Sequence, residues 1–96
     1  MSGPAEGKQQ TEGFDPGALR RQFAILSRDV AWLDNAATTQ RPEAVLQAMD
    51  RFYRRHNANP RRSVHRLGAE ATEAYEGARA AAAAFVGAAA PEEIVF

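Results

Sequence analysis

The sequence contains no cysteine and a single lysine, Lys8. Without cysteine the chain can form neither a disulfide scaffold nor a thiolate zinc site, and it has no cysteine nucleophile. We therefore predict no metal site. Because structural disulfides mark oxidising compartments, the lack of cysteine also favours an intracellular protein, and we expect a cytoplasmic one.

Large apolar residues are scarce as well. Leu, Ile, Val and Phe together number seventeen, whereas alanine alone occupies twenty-one of the 96 positions. Alanine buries little area, and apolar burial contributes only about 25 cal/mol per Å², so we expect a thin core. No apolar run approaches the roughly 20 residues of a membrane span, and the first residues lack the apolar segment of a signal peptide. We expect no membrane partner.

Charge is balanced overall but not locally. Twelve basic residues offset twelve acidic ones, so no global field attracts nucleic acid. One stretch without any acid nevertheless carries six arginines and two histidines: Arg51, Arg54, Arg55, His56, Arg61, Arg62, His65 and Arg66. Such a stretch could bind phosphate or a carboxylate. Alternatively, it is a solvated surface whose arginines pair with acids on other segments.

The first half of the chain shows one helix start and one strand. Residues 1–13 have hardly any apolar side chains, which predicts a disordered tail. Asp15 followed by Pro16 predicts the start of a short helix that ends before Ser27. Residues 30–33 are β-prone and predict a short strand, which a turn through residues 36–39 follows.

Two longer helices are predicted in the second half. The first begins at Pro42 and Glu43, repeats apolar residues at helical spacing and stops near Asn57. A loop over residues 57–64 precedes the second, which runs from about Leu67 and is ended by Gly87. Residues 94–96 are apolar and β-prone, so we predict a last strand there.

Four motifs occur in a specific order along the chain: residues 33–39 (LDNAATT), 59–67 (NPRRSVHRL), 71–73 (ATE) and 92–96 (EEIVF). In this order they resemble the N-terminal part of the class V aminotransferase superfamily, and are most similar to cysteine desulfurases of the sulfur-mobilisation (Suf) type. The likeness covers residues 14–96. One departure is that relatives often have His-Arg-Gly where this chain has Arg61-Arg62-Ser63, so the role of the first position does not carry over.

The resemblance implies an α/β fold, pyridoxal phosphate-dependent transferase fold type I. Residues 14–96 would be an incomplete, N-terminal segment of that domain, mostly helical with short strands. The complete enzyme would use pyridoxal 5′-phosphate to convert L-cysteine to L-alanine and an enzyme-bound persulfide, for iron–sulfur cluster assembly. It would be a homodimer and would pass sulfur to an acceptor protein. Nucleic acid is not an expected partner.

The chain lacks the groups that this chemistry requires. Such an enzyme needs a lysine for the Schiff base and a cysteine thiolate, but the only lysine, Lys8, lies in the predicted tail and cysteine is absent. We therefore expect a leading piece or truncated product that binds no cofactor alone, and we assign no catalytic or cofactor-binding residue. Two alternatives stay open: a fragment of another class V aminotransferase-type lyase or transferase, and a small Arg-rich module that binds anions or nucleic acid.

The resemblance also implies which residues approach the substrate. It places the turn Asn35, Ala36, Ala37 and Thr38 at the edge of the active site, where small side chains leave room. Arg62 and His65 would belong to a loop at the active-site entrance. Each position also has a structural explanation, because a small polar turn needs such residues and a loop histidine often caps a helix or is merely solvated.

Overall fold

The computed structural model describes residues 13–61 and 64–96. Within these residues the secondary structure consists of α1 (Pro16–Arg21), a 3₁₀ turn (Ala24–Ser27), α2 (Glu43–Arg55), α3 (Arg66–Val86) and a 3₁₀ turn (Pro91–Glu93). The chain divides into two compact units, the first ending at Leu46 and the second spanning Gln47–Phe96. Apart from Gly13, the predicted tail lies outside the described residues.

The N-terminus of α1 has the predicted cap. A carboxylate oxygen of Asp15 accepts the backbone N–H groups of Gly17 at 2.9 Å and Ala18 at 3.1 Å. These N–H groups have no partner inside the helix, so the cap replaces the water that they would otherwise need. After α1, the guanidinium of Arg20 donates to the carbonyls of Leu26 at 3.1 Å and Val30 at 3.0 Å. One side chain thereby ties the segment that follows α1 back onto the helix.

The two predicted strands are wrong. Residues 30–33 and 94–96 form no ladder anywhere in the described parts of the chain. Ile94 does have extended dihedral angles, with φ −93° and ψ 121°. β-Prone residues therefore set the local backbone, but a strand also needs hydrogen bonds to a neighbouring strand. The prediction of a mostly helical segment is confirmed.

The helix α3 ends as the sequence predicts. Gly87 lies in the left-handed region with φ +70°, and its N–H donates to the carbonyl of Ala84 at 3.3 Å. Among the described residues, Ala71 and Ala83 are the only buried hydrophobic ones, and both lie on α3. The expected thin core is confirmed. No helix in these parts of the chain has both the length and the apolar character needed to cross a membrane.

Candidate functional site

A tight turn over residues 34–39 follows residues 30–33 in the first unit. The N–H groups of Ala37 and Thr38 both donate to the carbonyl of Asp34, at 3.2 Å and 3.0 Å. Thr39 donates its hydroxyl to the carbonyl of Asn35 at 2.8 Å. Asn, Asp and Thr stabilise turns because their short side chains reach nearby backbone groups. The predicted turn is therefore formed, and local hydrogen bonds fix its shape.

Trp32 braces this turn from the preceding segment. Its indole N–H donates to the carbonyl of Thr38 at 3.0 Å. Trp32 is half-buried. Hydropathy does not reveal this hydrogen bond, since it joins residues six positions apart that meet only when the turn forms.

A cleft of about 530 Å³ lies beside the turn. Its walls combine apolar side chains with a few polar ones, a composition typical of sites for small organic ligands. The lining residues are Arg20, Phe23, Leu26, Trp32, Asn35, Thr39, Gln40 and Pro42. Asn35 is therefore the predicted site residue that faces the cleft. Ala36, Ala37 and Thr38 are exposed on the turn itself.

The other predicted site residues belong to the second unit. His65 precedes α3 and caps it, because its Nδ1 accepts the N–H of Gly68 at 3.1 Å. An Nδ1 that accepts this bond carries no proton, so the neutral ring holds its proton on Nε2. The helix-start explanation of His65 is confirmed. Arg62 lies outside the described residues.

Glu76 joins two arginines in the second unit. Its carboxylate accepts Arg61 Nε at 2.8 Å and Arg79 Nε at 3.0 Å. Hydrogen bonding from Arg61, supported by Arg79, holds the pKa of Glu76 below its ordinary value of 4.5. Arg79 also lies over the rings of Tyr75 and Phe96, 5.4 Å and 5.0 Å from their centres, and donates to the carbonyl of Ile94.

Arg61 fixes the loop that precedes α3. Its backbone lies in the left-handed region with φ +70°, a conformation that costs a non-glycine residue free energy. Its N–H donates to the hydroxyl of Thr72 at 2.7 Å, and its guanidinium is held by Glu76. These contacts fix the loop to α3 and offset that cost.

A second carboxylate, Glu70, joins α3 to the end of α2. One oxygen lies 2.9 Å from His56 Nδ1, and the other accepts Arg66 Nε at 2.9 Å. Hydrogen bonding from His56, and then from Arg66, lowers the pKa of Glu70 below 4.5. The His56 contact joins residues 14 positions apart, and the Arg66 contact joins residues one helical turn apart on α3.

Three arginines of the acid-free stretch form ion pairs with acids outside it. These pairs are Arg54–Asp50, Arg61–Glu76 and Arg66–Glu70. These three arginines therefore behave as a solvated surface paired with acids outside the stretch. An anion-binding role for the stretch stays a prediction. In the described ranges no three His, Cys, Asp or Glu side chains are grouped so that they could hold a metal ion.

Comparison with known proteins gives one consistent set of relatives. The family model described as aminotransferase class-V matches residues 31–96. The chain is 43% identical over 97 residues to a probable cysteine desulfurase of Mycobacterium leprae, covering 96% of this chain and 16% of the relative. It is 44% identical over 89 residues to a cysteine desulfurase of Synechococcus elongatus, covering 88% of this chain and 14% of the relative.

A solved structure agrees with these sequences. The apo structure of a cysteine desulfurase from Thermococcus onnurineus superposes with a TM-score of 0.76 at 41% identity, covering 83% of this chain and 20% of the other. The chain thus spans about a fifth or less of the length of each of these three proteins.

Proposed function

This chain belongs to the class V aminotransferase family, and we propose on that premise that it forms part of a pyridoxal phosphate-dependent cysteine desulfurase. The family match over residues 31–96 carries the proposal, because it includes the Asp34–Thr39 turn, α2, α3 and the final segment. The fold of the solved relative supports the fold type I architecture. The reaction of the complete enzyme would convert L-cysteine to L-alanine and a persulfide.

The residues of this chain do not by themselves fit the cofactor. Pyridoxal phosphate supplies the electron sink of such an enzyme and is held by a lysine. The described ranges contain no lysine, and the chain has no cysteine to take up sulfur. No cofactor step can therefore be assigned to side chains of this chain, and both groups would have to come from the rest of the enzyme.

The part that this chain would contribute is the edge of the substrate site. Four exposed turn residues, Asn35, Ala36, Ala37 and Thr38, would border the amino acid, and Asn35 lies on the adjoining cleft. Hydrogen bonds to Asp34 and Trp32 fix this turn before any ligand binds. Such preorganisation reduces the entropy cost of binding. Arg62 and His65 would approach the entrance of the site.

The wider assignments rest on the resemblance. We include in the proposal a Suf-type, cytoplasmic homodimer that passes sulfur to an acceptor protein for iron–sulfur cluster assembly. L-Cysteine is the substrate that distinguishes this proposal from other class V lyases and transferases.

A chimeric enzyme tests the proposal. In it, this chain replaces the matching segment of the Thermococcus onnurineus cysteine desulfurase, which supplies the remaining four fifths of the protein. We expect the chimera to bind pyridoxal phosphate and to form alanine from L-cysteine. The 96-residue chain alone, assayed under the same conditions, should do neither.

Two results would contradict the proposal. One is a chimera that folds and binds the cofactor but forms no alanine from L-cysteine. The other is turnover of L-cysteine by the isolated chain, which would require chemistry that its side chains do not supply. Activity of the chimera toward a different amino acid alone would favour another class V lyase or transferase.

A further inference from the structure

The two histidines of the chain lie in opposite hydrogen-bonding environments. His65 Nδ1 accepts a backbone N–H from Gly68, at 3.1 Å. His56 Nδ1 lies 2.9 Å from a carboxylate oxygen of Glu70. A carboxylate can only accept, so the His56 ring must donate from Nδ1. The same nitrogen atom is therefore an acceptor in one histidine and a donor in the other.

Glu70 is well suited to hold His56 in this state. Its second oxygen accepts Arg66 Nε at 2.9 Å. Hydrogen bonds from His56 and then Arg66 lower the pKa of Glu70 and so favour the ionised carboxylate. The backbone of His56 is fixed as well, because its backbone N–H donates to the carbonyl of Phe52 at 2.8 Å and extends the last turn of α2. Glu70 thus orients the ring, and the last turn of α2 fixes the backbone that carries it.

We propose that Glu70 fixes His56 as a hydrogen-bond-accepting site at the junction of α2 and α3. The neutral ring carries its proton on Nδ1, which leaves the lone pair of Nε2 free. Its side chain is 35% exposed, so a small ligand can reach the ring. The matching ligand group is a weakly acidic donor such as a thiol or an ammonium group.

This site differs from the substrate-edge residues of the proposed function. Carboxylate-oriented imidazoles serve as general bases because the carboxylate fixes the ring tautomer and stabilises the charged form. His65 lacks such a carboxylate among the described residues, and its Nδ1 acceptor is already occupied by the helix cap. Only His56 therefore combines a fixed orientation with an available lone pair.

Imidazole ¹⁵N chemical shifts of the full chain test the tautomers directly. At a pH where both rings are neutral, we expect His56 to be protonated on Nδ1 and His65 on Nε2. In Glu70→Gln, His56 should lose its preference for the Nδ1-protonated tautomer. His65 should stay protonated on Nε2, which would show that its helix cap and the surrounding fold persist. Asp50→Asn, which removes a different acid on α2, should leave both rings unchanged.

Chemical modification provides a second measurement. Diethylpyrocarbonate attacks an imidazole nitrogen with a free lone pair, so His56 should react several-fold faster than the more exposed His65. The ratio should fall toward one in Glu70→Gln. An Nε2-protonated His56, or a modification rate that follows exposure alone, would overturn the proposal. A His65 ring that is not protonated on Nε2 in the parent chain would overturn it as well.

Discussion

The indole N–H of Trp32 donates to the carbonyl of Thr38 at 3.0 Å, so the one tryptophan of the chain braces the turn that we place at the substrate edge. The bond joins the residue that precedes Leu33 and Asp34 to the far side of the turn. It holds the backbone of Ala37 and Thr38 in one conformation.

Trp32→Phe should loosen the turn while retaining an aromatic ring. Removing one hydrogen bond of this kind lowers the free energy of unfolding by about 1 kcal/mol. In the chimeric enzyme we expect a lower melting temperature and a higher Michaelis constant for L-cysteine, with cofactor absorption retained. Tyr53→Phe is the control, because its side chain is 65% exposed. An unchanged Michaelis constant in Trp32→Phe would argue against a substrate-edge role of the turn.

Ala36→Val and Ala37→Val test that role by adding side-chain volume to the turn. A β-branched residue adds bulk and a stiff side chain to a short turn. If the turn borders the substrate, the Michaelis constant for L-cysteine should rise or turnover should fall, after normalisation to bound cofactor. Ala44→Val, at an exposed position of α2, is the control. Normalised constants that stay at the parent value in both turn variants would remove Ala36 and Ala37 from the site.

Glu76→Gln should destabilise the second unit in a pH-dependent way. The folded-state pKa of Glu76 lies below its ordinary value of 4.5, so the carboxylate stabilises the fold above that value. This contribution is lost as the pH falls through the folded-state pKa. At neutral pH the variant should melt at a lower temperature than the parent, and the difference should shrink in acid.

The matched control for Glu76→Gln is Glu73→Gln on the same helix. Glu73 is exposed and forms no ion pair within the described residues, so its removal should change the melting temperature little at any pH. A difference between Glu76→Gln and parent that is the same at neutral and acidic pH would contradict the assigned role of the carboxylate.

Two glycines of α3 and its cap should respond in opposite directions to alanine. Gly87 has φ +70° and an added Cβ would meet no atom within 4 Å, so Gly87→Ala introduces backbone strain alone and should cost about 1 kcal/mol. Gly77 lies inside the helix, also with open space, and Gly77→Ala should stabilise by about 0.5 to 1 kcal/mol. Thermal unfolding of the chimera checks both signs. A Gly87→Ala variant as stable as the parent would contradict the left-handed cap.

The helix ends could be predicted from the sequence because their chemistry is local. Asp15 before Pro16 and Gly87 after an alanine-rich helix each determine the backbone within a few residues. The two strands could not, since β-prone residues specify an extended backbone but not its neighbour. The described parts of the chain contain no second strand for residues 30–33 or 94–96.

The same distinction applies to the candidate site. The Asp34–Thr39 turn was predictable because its residues hydrogen-bond to near neighbours. The i,i+4 pair Arg66–Glu70 could have been read from its spacing. The contact between His56 and Glu70 joins residues 14 positions apart, and no periodicity encodes it. Only this contact within the second unit reveals that the two histidines differ.

The central claim is that this chain supplies a working segment of a cysteine desulfurase. The most direct measurement is kcat/KM for alanine formation from L-cysteine by the chimeric enzyme, per bound cofactor, relative to the Thermococcus onnurineus parent. We predict a value within about tenfold of the parent, equivalent to less than about 1.4 kcal/mol of lost transition-state stabilisation. A chimera that binds cofactor normally but is slower by more than about a thousandfold would contradict the claim.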